Sequence, residues 1–287
     1  MIVTQALLPA ALAFIMFAMG LTMAPQDFRL VFTQPRPILV ALVCKLLALP
    51  LAGLAVVLLW RPLPAEFAVG LLILAACPAG VTSSLLTHLA GGRVALAAAV
   101  TAVTSLAATV TLPLLTNEAL SAFAGFDHAV DLPVARMTMG VFAVDTLPLL
   151  AGLALQRVRP ALAARLGRLA RPLANLLFLA IVAGAFASQY RTLVDHAADA
   201  VPPALALNLA AMAIGWGISA AAGLPVGERV AVVMENGLQN SALGIFVAAT
   251  LLESGGMMVP SIVYALVMNV TALSFVAWVR RRVQAPI

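Results

Sequence analysis

The chain has 287 residues, 63% of them hydrophobic and only 9% charged, with a net charge of +5. Soluble domains run at about half apolar and a quarter charged, so a soluble enzyme, a disordered chain and a nucleic-acid-binding module are excluded. The pI of about 10.2 rests on arginines at the ends of apolar runs. A helix needs about 20 apolar residues to cross the hydrocarbon of a bilayer. Nine runs qualify: 3–23, 38–60, 67–90, 94–115, 137–155, 172–190, 203–222, 230–252 and 257–279. Barrel strands would be shorter and would alternate polar with apolar. These runs are apolar all round, which predicts an all-α membrane protein with one transmembrane domain over 1–287. The first run is too long for a signal-peptide core and lacks a basic leader, so it is expected to stay as an anchor.

Loop charge predicts the orientation, because cytoplasmic loops collect Lys and Arg. One side holds three arginines, Arg61, Arg136 and Arg191. The other holds twelve, among them Arg29, Arg36, Arg93, Arg229, the run from Arg157 to Arg171 and the terminal Arg280–Arg282. The N-terminus is therefore expected outside and the C-terminus in the cytoplasm. The run from Arg157 to Arg171 reads as a topology anchor with lipid contacts. The arginine-rich, lysine-poor composition points to a high-GC bacterium, hence to its inner (plasma) membrane. Cys44 and Cys77 both lie inside apolar runs and give neither a disulfide framework nor a metal-ligand spacing.

The first four runs and the last four start at offsets of 163 to 169 residues. The quartets lie five runs apart, so they must point in opposite directions. This predicts an inverted repeat, about 3–115 and 172–279, of the kind found in secondary transporters. The third run contains Cys77-Pro78-Ala79-Gly80-Val81-Thr82-Ser83-Ser84, and the eighth contains Glu235-Asn236-Gly237-Leu238-Gln239-Asn240-Ser241. Pro78 removes a backbone donor, and polar residues interrupt the eighth run. Unwound backbone at this depth is tolerated only against protein or a water-filled cavity. Two discontinuous helices are therefore expected to cross there. Their carbonyl ends and Glu235 offer hard oxygens to a cation, while their N–H ends suit an anion.

These residues resemble the bile acid:sodium symporter family, which includes the apical bile acid transporter and bacterial relatives. Phe17–Met23 with Asp27-Phe28, Cys77–Gly80 continuing through Leu89–Leu96, and Glu235–Ser241 are similar to its three signatures. The resemblance covers nearly the whole chain. It implies a panel domain (3–23, 137–155, 172–190) and a core domain of the other six helices, with two sodium ions behind the crossover and an organic anion between the domains. Bacterial relatives often have ten helices, so nine with an external N-terminus fits loss of the first. Carried across, the first sodium site matches Ser83, Thr101 and Glu235, with Ser84 in place of an Asn and Ala97 in place of a Ser. The second matches Glu235, Gln239 and the backbone of Asn236 and Leu238, and Lys45 stands where the family has a Gln. Asn240 matches a substrate-contacting Asn, with Thr82 and Ser241 beside it at the breaks.

Lys45 is the single lysine. A lone ammonium inside a span is rare and faces a partner or a cavity. The expectation is that it takes the place of the second sodium and pairs with Glu235, so that coupling uses fewer sodium ions or uses protons. The plainer alternative is snorkelling to the cytoplasmic interface. Asp145 is a second intramembrane acid, assigned by default to the substrate cavity. His88 reads as interfacial, His128 and His196 as solvated, and Met16, Met19 and Met23 as packing. The function expected is a symporter of a small organic anion working by alternating access, with a crossed-helix cation/proton antiporter as the alternative. No cofactor beyond sodium, no obligate protein partner and no nucleic acid is expected. No Gly-rich phosphate loop ending in Gly-Lys can be built, because the only Lys is in a span.

Overall fold

The computed structural model describes residues 6–60, 62–124 and 134–282; His128 lies outside them. Thirteen helices follow one another: α1 (Leu8–Gly20), α2 (Arg29–Thr33), α3 (Pro35–Leu59), α4 (Ala65–Ala76), α5 (Ser83–Leu89), α6 (Val94–Phe123), α7 (Val134–Val158), α8 (Pro160–Ser188), α9 (Tyr190–Asp195), α10 (Ala197–Ala221), α11 (Val226–Gly237), α12 (Ser241–Leu251) and α13 (Gly255–Arg282). Among the described residues there is no strand, only one isolated bridge between Ala79 and Gln239. Among the described residues, six helices are long and apolar enough to span a bilayer: α3, α6, α7, α8, α10 and α13. Leu51, Leu176 and Val270 point outward and are exposed, as suits an outer surface solvated by lipid. The chain is a multi-pass membrane protein. The other three predicted runs fall on α1 and on the interrupted pairs α4/α5 and α11/α12.

Several boundaries depart from expectation: α6 runs on to Phe123 rather than 115, α10 starts at Ala197 rather than 203, and the sixth run departs most. The sixth run was expected to start at 172, but α8 starts at Pro160. The intervening arginines form helix rather than loop, and only Arg159 separates α7 from α8. Arg, Leu and Ala are strong helix formers and Pro160 suits a first helical position; hydropathy penalises the arginines and so misses this stretch.

Two wide turns interrupt α3 and α7, over Val43–Ala48 and Phe142–Thr146. Pro50 and Pro148 follow them closely. A proline clashes with the carbonyl four residues earlier, and a wide turn relieves the clash. These turns carry Lys45 and Asp145.

Helices α1, α7 and α8 pack on one another. The α1/α7 contact runs backbone to backbone. A Cβ on Gly20 would sit 2.2 Å from the Leu149 carbonyl, and one on Gly152 would sit 2.3 Å from that of Phe17. Small residues permit such approach in a membrane. Gly152→Leu should therefore lower the unfolding midpoint in detergent by more than Gly184→Leu, since a Cβ at Gly184 meets nothing within 4 Å.

The remaining spans surround the two interruptions, and α4 packs on α13 while α11 packs on α10 and α6. Contacts between connecting segments fall into two sets. At one end Arg93 pairs with Glu228 at 2.7 Å and also donates to Gln34, Arg36 donates to the Ala222 carbonyl, and Arg280 to that of Leu89. The other set joins Ser254 to Glu66 (2.6 Å) and the His196 ring to Phe67.

Candidate functional site

The two breaks meet. After α4 the chain is extended at Cys77, and after α11 it is extended at Leu238. The extended pieces pair in antiparallel fashion: Gly80 N–H donates to the Leu238 carbonyl (3.0 Å) and Asn240 N–H to the Pro78 carbonyl (2.9 Å). A Cβ on Gly80 would lie 2.7 Å from the Gln239 carbonyl oxygen, so only glycine allows this approach.

A helix end leaves carbonyls without intrahelical partners, and here they are buried away from water. The end of α11 accounts for each one. Lys45 Nζ donates to the Glu235 carbonyl at 2.9 Å. Gln239 Nε2 donates to that of Asn236 at 2.6 Å. Asn208 Nδ2 and the Tyr264 hydroxyl both donate to that of Gly237, at 2.8 and 2.9 Å. Lys45 Nζ also donates to Gln239 Oε1 at 2.5 Å. The ammonium thus sits at the negative end of the α11 dipole, and Lys45 is only 3% exposed. It is buried among protein groups rather than reaching outward.

The Glu235 carboxylate is held from another side. Thr101 Oγ1 donates to Glu235 Oε2 at 2.7 Å, and the Ser83 hydroxyl lies beside the carboxylate. Glu235 Oε1 is buried without a hydrogen-bond partner. Among the described residues the one ion pair is Arg93–Glu228, so Lys45 meets Glu235 through its carbonyl and not through a carboxylate contact within 4 Å.

Asn240 caps α12, its Oδ1 accepting from Leu243 N–H at 3.1 Å. Its Nδ2 donates to Asp145 Oδ1 at 3.3 Å and approaches Met16 Sδ at 3.5 Å. Asp145 is fully buried and its Oδ2 is unpartnered. Ser241 is buried, with Met268 Sδ 4.0 Å from its hydroxyl.

Beside the breaks, against α1 and α8, lies a cavity of about 330 Å³. Thr82 and Ser84 line it from the break, and Arg171 and Asn175 from α8. Asp27 and His88 also line it, so His88 faces this space. Half-burial pushes the Asp27 carboxyl above its ordinary range, opposed by a backbone hydrogen bond at Ala24. Met19 and Met23 are also on the wall, whereas Met16 is packed in the interior.

The structure therefore brings Lys45, Ser83, Thr101, Glu235, Asn236 and Gln239 together, with the Leu238 backbone in the crossing. Thr82 and Ser84 face the cavity instead. Asn240, Ser241 and Asp145 lie off its lining. Sequence reasoning missed Asn208 and Tyr264, though an Asn and a Tyr inside apolar runs were available signals. It also treated Arg171 only as an anchor.

Sodium fits the two implied positions unequally. At the first, the orphaned Glu235 Oε1 with Ser83 and Thr101 offers hard oxygens, but Ala97 is packed among apolar side chains and brings none. At the second, the Glu235 carbonyl and Gln239 Oε1 already hold the Lys45 ammonium, so the residues present do not fit a sodium ion there.

Comparison with known proteins agrees with the motifs. The chain is 27% identical over 276 residues to a probable chloroplastic sodium/metabolite cotransporter, BASS2, of Oryza sativa subsp. japonica, covering 96% of this chain and 64% of that protein. It is 28% identical over 240 residues to the uncharacterized sodium-dependent transporter YocS of Bacillus subtilis, covering 83% and 72%. It is 28% identical over 212 residues to the P3 protein of Bos taurus, covering 74% and 44%. The chain thus spans less than two-thirds of the rice relative's length. Residues 9–196 match the sodium bile acid symporter family, whose members are transporters and not enzymes; with the match covering more than half of its length, the chain belongs to that family.

Proposed function

We propose that the chain is a symporter that carries a small organic anion across the membrane by alternating access. In this reading it crosses the bilayer nine times, with α1, α4/α5 and α11/α12 adding three crossings to the six long helices. The two sets of end contacts support this, since each set joins only segments that nine alternating crossings place on one side. They also support the inverted repeat: Glu66 in the first turn of α4 meets Ser254 just before α13, and Glu228 in the first turn of α11 meets Arg93 just before α6. Helices α1, α7 and α8 form the panel and the others the core. The N-terminus is outside, the C-terminus cytoplasmic, and the membrane is a bacterial inner membrane.

The observation that carries the proposal is the Lys45 ammonium on the carbonyl end of α11, beside the partly bare Glu235 carboxylate. The ammonium supplies the positive charge that a second cation would bring, so coupling uses fewer sodium ions, or protons. Glu235 balances that charge, and whatever cation enters beside it acts at Oε1. Rocking of the panel against the core exposes the cavity alternately to each side. The Asn240–Asp145 hydrogen bond joins core to panel and must break in each cycle.

The test is uptake of labelled small carboxylates into proteoliposomes under a sodium or a proton gradient. Movement of cations alone, with no carboxylate taken up under either gradient, contradicts the proposal. Glu235→Gln should reduce uptake about 10–100-fold, the equivalent of one charge-assisted hydrogen bond at ~1.5–3 kcal/mol.

A further inference from the structure

Asp145 sits in the wide turn of α7, where panel meets core. Asn240 reaches it from the crossing and Ser105 from α6. Its side chain is fully buried and lies off the cavity lining. Oδ2 has no hydrogen-bond partner, and neither has the Ser105 hydroxyl beside it. Oδ1 accepts from Asn240 Nδ2 at 3.3 Å, beyond the ~2.7–2.9 Å of a charge-assisted bond from nitrogen.

No cation offsets a charge here. Among the described residues the one ion pair is Arg93–Glu228. Helices α1 and α12 carry no ionisable side chain. On α6 there is only Glu118, and on α7 only Arg136 and Arg157 besides Asp145; all three are exposed toward the helix ends. From α8, Arg171 lines the cavity, which Asp145 does not. The Cys77 thiol at the break faces Asp145, and the Lys45 ammonium is engaged at the end of α11.

A sodium ion does not fit either. Hard cations take about six oxygens. Here Asn240 Oδ1 is held by Leu243 N–H, and the Thr146 hydroxyl by Thr109 and the Ser105 carbonyl. Only Asp145 Oδ2 and the Ser105 hydroxyl are left. A proton needs one oxygen. Placed on Oδ2, it gives Ser105 Oγ a donor and removes the charge at once. Donation by Ser105 to a bare carboxylate would fill the same gap but leave the charge buried and unpaired, which is costly.

We propose that Asp145 is a proton-binding site of the transport cycle: Oδ2 holds a proton while panel and core are closed on it and gives it up to water when they part. An ionised Asp145 stays hydrated and keeps panel and core apart until a proton returns, so each closure carries one proton. This rests on the alternating-access reading above and names a coupling ion and its site within it.

The first test is the infrared spectrum of the full-length protein in liposomes at neutral pH, where hydrated carboxyls are ionised and a carboxylic-acid carbonyl band marks a buried proton. The band should be lost in Asp145→Asn, kept in Glu235→Gln and shifted in Ser105→Ala. Its absence from wild type, or its persistence in Asp145→Asn, overturns the proton site and leaves the transport reading standing. The second test is proteoliposome uptake of the labelled carboxylates under an inward proton gradient. Asp145→Asn, permanently neutral, should lose the stimulation by the gradient while still exchanging carboxylate between equal concentrations on the two sides. An unchanged response of Asp145→Asn overturns the proposal, as does wild-type uptake indifferent to the gradient. A wild type that shows the band but takes up no carboxylate under either a sodium or a proton gradient overturns the transport reading instead.

Discussion

Lys45→Met should lower stability by about 3 kcal/mol, read as a fall in the detergent unfolding midpoint. The substitution leaves two buried acceptors bare, the Glu235 carbonyl and Gln239 Oε1. Each buried unsatisfied acceptor costs ~1–3 kcal/mol, and relief from burying an ammonium offsets part of the sum. A charge at a helix C-terminus adds to the loss, because the cation opposes the exposed carbonyl dipoles. Lys45→Gln should lose less, since an amide can still donate to one of the two acceptors. If Lys45→Met were as stable as wild type, the ammonium would not be holding the end of α11.

Gly80→Val should abolish uptake and cost about 3 kcal/mol. The added Cβ meets main-chain oxygen of Gln239 at 2.7 Å, and backbone cannot swing aside as a flexible side chain can. Overpacking of this kind costs ~1–3 kcal/mol. Parting the strands also weakens the Gly80–Leu238 and Asn240–Pro78 hydrogen bonds, worth ~1 kcal/mol each. The effect on transport should exceed the effect on folding, because Gln239 and Asn240 are displaced along with the strand. Gly217→Val, on α10 where an added Cβ meets nothing within 4 Å, is the control expected to fold and transport normally.

Much of this architecture is written in local patterns. The interruption of α4/α5 is visible in Cys77-Pro78-Ala79-Gly80, because proline and glycine stop a helix by backbone chemistry alone. That of α11/α12 is visible in Glu235–Asn240, because a run of polar groups cannot face lipid. The long arginine-bearing start of α8 was not visible: hydropathy and helix propensity give opposite answers for arginine, and here the stretch is helix. The partners of the Gly237 carbonyl were also hidden. Asn208 and Tyr264 reach it from α10 and α13, and no local rule says which distant side chain satisfies a given carbonyl. The Lys45–Glu235 relation was legible as a pair but not as a geometry. Thr101 already holds the carboxylate, and the ammonium goes to the carbonyl end instead. Asp145 was recognisable as a buried acid, yet its link to Asn240 depends on the wide turn that Pro148 induces in α7.

Lys45 in the place of a bound cation makes a direct demand on sodium binding. The unfolding midpoint of wild type and of Lys45→Gln, each titrated with sodium chloride against potassium chloride at equal ionic strength, measures it without any knowledge of the substrate. A sodium-specific rise in midpoint that is larger and steeper in Lys45→Gln than in wild type is the predicted result, since the vacated oxygens become free to take the ion. A wild-type response to sodium as large and as steep as that of the variant would contradict the account.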